Sequence, residues 1–300
     1  MVNNHIYRSP LFYVGDKYKL VPELKKIFPQ KINKFIEPFA GGGSVFLNIK
    51  ANSYLLNDID SSVFRLHNFL IQQAKDPEFF FENVKKVIFK YHLSHSFIKD
   101  VVPIELKKQW KKTYFAKYNK IGFERLRNDF NKDHDLFKLY VLLIYGFNRM
   151  LRFNGKGEYN LPVGNVDFNH NVVNALKDFF NIVSSRTILW QNTDYKTYLE
   201  SIDIENDDFI YFDPPYLITF SEYNKYWDNL REEELVKTLE NLNYRKIRFA
   251  VSNVIYYKGK ENKIFHDWSK KYFSHPINSN YISYHDNTIK EFKEVLITNY

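Results

Sequence analysis

Residues 34–60 constrain the fold more than any other stretch. Lys34–Phe39 is extended and apolar, Gly41–Gly43 turns the chain, and Ser44–Lys50 reads as a short helix. Ser53–Leu56 then reads as a second buried strand closing on Asn57–Asp58. Strand, turn, helix and strand in that order belong to a parallel α/β sheet. Three glycines directly after a strand let the backbone come close to a ligand, because no Cβ stands in the way. The pattern is neither GxGxxG nor GxxxxGK[ST], which disfavours a dinucleotide or a nucleoside triphosphate. Asp58, at the end of the second strand, is placed to accept both ribose hydroxyls of an adenosyl ligand. A bare turn and a helix cap are the plainer readings of the same residues.

The rhythm changes twice along the chain. Upstream, Pro22–Phe28 fits a short amphipathic helix with proline in its first turn. From about 61 to 185 helical patterns rich in lysine and aromatics take over: Phe79–Tyr91, Leu106–Tyr118 and Leu136–Met150. A polar, glycine-containing stretch follows at Arg152–Asn165. The alternation then returns, with strands at Phe209–Phe212, Lys246–Val251 and Glu294–Thr298 and helices at Arg231–Asn241 and Lys260–Lys271. The expected fold is α/β, one Rossmann-like doubly wound sheet built from residues 1–60 and 186–300. Residues 61–185 form an inserted, mainly helical module with a β-hairpin near 152–165.

Composition narrows the partners. The formal net charge is +8 and the pI about 9.2, which suits a polyanion such as nucleic acid, although AT-rich coding would also give a lysine-rich chain. The pairs Lys85/Lys86, Lys107/Lys108 and Lys111/Lys112 suit phosphate contact or, equally, a solvated helix face. There is no cysteine, so disulfides, Cys-ligated zinc and thiol catalysis are excluded. The histidines form no HExxH set, and His92 and His95 read as a solvated or core pair, so no metal is expected. The N-terminus lacks the apolar core of a signal peptide, and the longest apolar run, Leu139–Phe147, is about half of what a membrane span needs. A soluble, cytoplasmic protein is expected.

The tetrapeptide Asp213-Pro214-Pro215-Tyr216 directly follows the apolar strand Phe209–Phe212. With Phe39-Ala40-Gly41-Gly42-Gly43 upstream, the order of motifs resembles that of Dam-like, alpha-class DNA adenine methyltransferases. Tyr13-Val-Gly-Asp-Lys17 is similar to that family's N-terminal cofactor segment, and Asn57–Asp58 to its ribose acid. Tyr145–Asn160 resembles its recognition hairpin, and Asp213–Thr219 and Gly259-Lys-Glu-Asn262 are most like its T-even bacteriophage members.

The resemblance implies S-adenosyl-L-methionine as cofactor, S-adenosyl-L-homocysteine as product, and no metal. Tyr13, Lys17, Phe39, Ala40, Gly41 and Gly43 would contact the cofactor and Asp58 would hold its ribose. Asp194 and Tyr195 would meet its adenine. The substrate would be double-stranded DNA, at GATC or a related short site. Asn148, Arg149, Met150, Arg152 and Pro162 are the candidates for reading it, since arginine can take guanine bidentately and methionine can wedge beside a base step. The chain departs from the pattern at Asn165–Val166, where the family tends to carry basic residues. A cognate restriction endonuclease and a monomer or weak dimer complete the expectation.

Chemistry agrees with that reading of Asp213–Tyr216. Adenine's exocyclic nitrogen is a poor nucleophile because its lone pair is delocalised into the ring. Asp213 and the Pro214 carbonyl would accept its two N–H bonds, Pro215 would hold that carbonyl, and Tyr216 would stack on the base at about 1–3 kcal/mol. Enzymes acting on cytosine tend to carry SPPY, and glutamine-modifying relatives NPPY. A catalytically silent DNA-binding regulator is the contrasting class; the presence of Lys17, Phe39, Asp58 and Asp213–Tyr216 together argues against it.

Overall fold

The computed structural model describes residues 5–219, 227–277 and 292–300. Its strands are β1 (Lys34–Glu37), β2 (Ser53–Asn57), β3 (Ile188–Gln191), β4 (Phe209–Phe212), β5 (Arg248–Tyr257), β6 (Lys260–Glu261), β7 (Phe273–Ile277) and β8 (Phe292–Thr298). Its helices are α1 (Val21–Ile27), α2 (Ser61–Gln73), α3 (Pro77–Lys90), α4 (Ile104–Trp110), α5 (Tyr114–Asp133), α6 (Leu136–Tyr145), α7 (His170–Val183), α8 (Tyr195–Glu200), α9 (Asn229–Tyr244) and α10 (Lys263–Ser269). The chain divides into two compact units. One comprises Met1–Tyr18, Gly41–Leu47 and Asp60–Arg186; the other comprises Lys19–Ala40, Asn48–Ile59 and Thr187–Tyr300.

The second unit is the α/β part, with strand order β3-β2-β1-β4-β5-β8-β7 and β6 on the side of β5. The first five strands in that row run parallel, and β8 enters antiparallel between β5 and β7. Parallel strands covered on both faces should be apolar throughout, and all four residues of β4 are buried. Its alternate side chains go to opposite faces. Ile210 and Phe212 join Ile36, Tyr198, Leu235, Leu239 and Val251 in one cluster. Phe209 and Tyr211 meet Phe28, just past α1, with ring centroids 4.8 and 5.2 Å apart. This is the mainly parallel, Rossmann-like sheet expected from the motifs.

The first unit is helical and surrounds α6, whose residues Leu139–Tyr145 are all buried. A helix apolar on every side belongs in a core, which accounts for the long apolar run. Amphipathic neighbours pack on it: α3 buries Phe80, Val84 and Ile88 at four-residue spacing. The hairpin near 152–165 appears as two antiparallel bridges, Phe153↔Tyr159 and Gly146↔Val163.

Several expected elements differ in detail. Residues 44–50 form turns rather than a helix, and Arg186 donates to the carbonyls of Phe46 at 2.5 Å and Leu47 at 3.2 Å. The expected helix Leu106–Tyr118 is two helices, broken at Lys111 (φ 10°). Leu136–Met150 stops at Tyr145, since Gly146 turns extended to meet the hairpin and Asn148 and Arg149 adopt left-handed backbone. Lys260–Lys271 begins as a helix only at Lys263, because Lys260 and Glu261 pair with β5 and Asn262 caps α10.

Within the helical unit, α5 crosses the end of α3 so closely that a Cβ on Gly122 would lie 2.0 Å from the Tyr91 carbonyl oxygen. An alanine in an open helix gains roughly 1 kcal/mol over glycine. Here the backbone clash dominates, so Gly122→Ala should destabilise the protein by about 3 kcal/mol, read as a lowered urea midpoint. An unchanged or raised midpoint would contradict this packing.

Candidate active site

The strand order reverses between β1 and β4, and in open parallel sheets ligands bind beyond the carboxyl ends of strands at that point. Ile36 is paired with Ile210, so continuing the register brings Phe39 level with Asp213. The next strand ends are sewn to this rim by Asn57. Its Nδ2 donates to the carbonyls of Pro38 and Thr193, both at 3.0 Å, and its Oδ1 accepts from the Thr193 amide at 3.1 Å. Asp58 is fixed from the backbone: its amide donates to Gln191 at 3.4 Å, and its carbonyl accepts from Asn192 at 2.7 Å.

Three aromatic rings gather at the rim. Phe39 lies 5.0 Å from Tyr195 and 5.7 Å edge-on from Trp227, and Tyr195 lies 6.1 Å from Trp227. Trp227 carries no sequence motif, and its role emerges only from the fold. Its indole N–H donates to Glu232 at 2.6 Å, and Glu232 also accepts from Asn253 at 2.8 Å and Asn262 at 2.7 Å. Burial pushes the Glu232 carboxyl upward, while these three donors oppose the shift. Asn262 thereby explains the Gly259–Asn262 motif as a structural clasp. Asp194 caps α8 through the Lys196 amide at 3.0 Å and accepts from Arg231 at 3.3 Å. Tyr195 is buried, and burial pushes its phenol upward.

Asp213 and Tyr216 stand together at the end of β4. The Tyr216 hydroxyl lies 3.0 Å from Asp213 Oδ1 and 2.7 Å from Glu294 Oε1. Glu294 comes from β8, far along the chain, and is buried at 1% exposure. Only its position as a lone acid in the apolar strand Phe292–Thr298 could have flagged it from sequence.

Of the remaining cofactor candidates, Ala40 is buried just past β1 in the α/β unit, and the others lie in the helical unit. Lys17 and Tyr13 are buried there. The Tyr13 hydroxyl reaches Asp60 at 3.5 Å, and Asp60 in turn caps α2. Gly41 and Gly43 have φ of +46° and +74°, conformations that favour glycine. A Cβ on Gly42 would lie 2.9 Å from Tyr13 Cβ, and one on Gly43 would strike Phe46 and His67 at 2.5 and 2.9 Å. His67, fully buried, holds the Gly41 carbonyl at 2.9 Å. Asp16, whose carboxyl is raised by burial, was not singled out from sequence.

The candidate DNA readers divide by environment. Asn148 and Pro162 are exposed, and Met150 is half-buried. The Arg149 guanidinium lies 4.1 Å over the Phe12 ring, which also has Arg8 over it at 4.6 Å. Burial first, and then the Arg8 charge, push Arg149 down to about 10. Arg152 is turned into the hairpin, where it donates to Asn160 Oδ1 at 2.9 Å and the Asn160 carbonyl at 3.3 Å. Asn165, where the family pattern is broken, donates to the Lys112 carbonyl at 2.5 Å and accepts from the Ala116 amide at 3.2 Å. It latches the hairpin's far end to the α4–α5 junction. Among the described residues no group of three or more histidines or acids could hold a metal.

Comparison with known proteins adds an independent line. Residues 13–284 match the family described as D12 class N6 adenine-specific DNA methyltransferase. The chain is 33% identical to Type II methyltransferase M.FokI of Planomicrobium okeanokoites, over 99% of this chain and 43% of that protein. It is 33% identical to Modification methylase StsI of Streptococcus sanguinis, over 98% of this chain and 43% of the relative. The DNA adenine methylase of Escherichia coli (strain K12) is 28% identical, over 82% of this chain and 80% of its own length. The chain thus spans less than half the length of the first two relatives.

His67 gives the glycine turn a signature measurable without ligand. Burial lowers its pKa from the ordinary 6.5 to about 4. The unfolded chain therefore binds this proton at a higher pH than the folded one. Its contribution is fully present above about pH 6.5 and is lost as pH falls toward 4, roughly 3 kcal/mol in all. His67→Gln should flatten this part of the stability–pH curve in urea titrations. An unchanged slope between pH 6.5 and 4 would show that another group is responsible.

Proposed function

Because the chain belongs to the D12 class N6 adenine-specific DNA methyltransferase family, we propose that it moves the methyl group of S-adenosyl-L-methionine onto the exocyclic amine of adenine in double-stranded DNA. The observation that carries the reading is Asp213-Pro214-Pro215-Tyr216 at the switch-point end of β4. The rings of Phe39, Tyr195 and Trp227 at the same rim fit the adenosyl part of the cofactor, and the half-exposed Asp58 at the end of β2 fits its ribose. Asp194 reaches the cofactor's adenine only by sharing a carboxylate already used for the α8 cap and Arg231. Tyr13, Lys17, Ala40, Gly41 and Gly43 complete the proposed cofactor set.

Bound cofactor supplies a sulfonium methyl, an electrophile that needs no metal. The protein's task is to hold the amine in line with it, an effect worth about 7–11 kcal/mol for two bound reactants. Asp213 and the Pro214 carbonyl accept the amine's N–H groups and steady the positive charge that develops on nitrogen. Tyr216 offers its ring to the base. A base inside a duplex is out of reach, so it must be flipped out at a cost of a few kcal/mol.

Recognition is proposed to rest on Asn148, Arg149, Met150, Arg152 and Pro162, at GATC or a related short site. Arg149 would read bases by leaving its ring contact with Phe12, and Arg152 would act from a hairpin it also braces. A cognate restriction endonuclease, as the names of the M.FokI and StsI relatives suggest, is proposed as partner. A monomer or weak dimer in the cytoplasm is the proposed state. No helix among the described residues is long and apolar enough to cross a membrane.

Tritiated-methyl transfer to duplex DNA tests the reading, and long-read sequencing of DNA from expressing cells reports the modified base and its context. Wild-type protein should label adenine. Asp213→Ala should lower transfer by at least about a thousandfold while cofactor binding persists. Loss of cofactor affinity as the main effect would overturn the role given to Asp213.

A further inference from the structure

The Tyr216 hydroxyl sits between two carboxylates, 2.7 Å from Glu294 Oε1 and 3.0 Å from Asp213 Oδ1. A phenol has one hydrogen to donate, and an ionised carboxylate only accepts. The two acids therefore compete for it, and the shorter contact, in the range of charge-assisted O–H···O bonds, is the one to Glu294. Glu294 lies in the sheet, opposite Val254 on β5 and Ile277 on β7. Its Oε2 is buried with no hydrogen-bond partner among the described residues. An acid at that position is costly for folding alone, and an apolar residue would serve a sheet interior better.

The register explains how it reaches the site. Phe212 is paired with Val251, and three residues further along β5 Val254 is paired with Glu294. Glu294 therefore belongs to the same rim of the sheet as Asp213, although a different strand carries it.

We propose that Glu294 is a positioning residue for methyl transfer: it draws the Tyr216 hydrogen to itself and so away from the Asp213 carboxylate, the acceptor assigned to the adenine amine. The inference rests on the methyltransferase reading. In the reaction the N–C bond forms as the S–CH3 bond breaks, and that bond's electron pair stays on sulfur. The surplus N–H proton leaves through Asp213 to water. A carboxylate that accepts a hydrogen bond from Tyr216 is a weaker acceptor for the amine, so the competition set by Glu294 acts on the rate of this step. Tyr216 is at once the surface for the base and the carrier of this contact.

Single-turnover methyl transfer on duplex DNA tests the proposal, in a cycle of wild type, Glu294→Gln, Tyr216→Phe and the double variant, with cofactor and DNA affinities measured for each. A hydrogen bond to a charged group carries enough energy for a slowing of about tenfold or more. That slowing is expected for Glu294→Gln with affinities unchanged. In the Tyr216→Phe background, where there is no hydroxyl hydrogen to misdirect, Glu294→Gln should have little further effect. Equal slowing in both backgrounds, or none in either, overturns the inference alone. A wild-type protein that transfers no methyl group overturns the methyltransferase reading, and this inference with it. Should Glu294→Gln fail to fold, Glu294→Asp withdraws the acceptor while keeping the charge, and the same dependence on Tyr216 decides the matter.

Discussion

The reversal of strand order between β1 and β4 is the constraint on which the α/β unit's site depends. Both strands point the same way and are paired in register, so the segments that leave them emerge on one rim. Phe39 and Asp213 are separated by a long stretch of sequence, yet the pairing of Ile36 with Ile210 brings them level. Once that register is fixed by apolar residues on both faces, little else is needed to gather an aromatic cluster beside an acid. Asn57 finishes the work by tying the ends of β1, β2 and the segment after β3 with one amide side chain. Hydrogen bonds of this kind satisfy backbone groups that a strand end would otherwise leave unpaired.

Two buried glutamates then set the details. Glu232 has three donors around it, from the segment just before α9, from β5 and from the residue before α10. Removing any one donor would leave a buried carboxylate less satisfied, which typically costs about 1–3 kcal/mol. Through Trp227, the same network holds one ring of the aromatic cluster in place. Glu294 is the opposite case, with one oxygen engaged and the other without a partner among the described residues. A fully satisfied buried acid reads as a brace. A partly satisfied one, bonded to Tyr216, fits the positioning role proposed for it.

What could be read from the sequence follows from how local each signal is. β4 was legible to the residue, because four consecutive apolar residues ahead of Asp213 leave little alternative. The glycine turn was legible too, since Gly41 and Gly43 adopt the left-handed backbone that glycine takes most easily. Residues 44–50 have a helical local pattern but form turns, and Arg186, which binds their carbonyls, lies far away in sequence. Trp227, Glu232 and Glu294 lack a local sequence signature for the same reason. Each is defined by a partner on another strand or helix, and no spacing announces it.

The hairpin holds two arginines of one sequence pattern in different ways. Pattern alone gives Arg149 and Arg152 the same standing, as two arginines flanking Met150 and Leu151. The fold separates them. Arg152 is fastened to Asn160 within the hairpin, so releasing it to a base would loosen the element that carries the other proposed readers. Arg149 rests on Phe12 beside a second guanidinium, with the backbone of Phe12, Asn148 and Arg149 all left-handed. Backbone in that region is strained for such residues by roughly 1–3 kcal/mol each and persists where surroundings impose it. Two like charges on one ring and three strained residues make Arg149 the less securely held of the pair. In the recognition role proposed for Arg149, a guanine or phosphate could recruit it without first dismantling the hairpin.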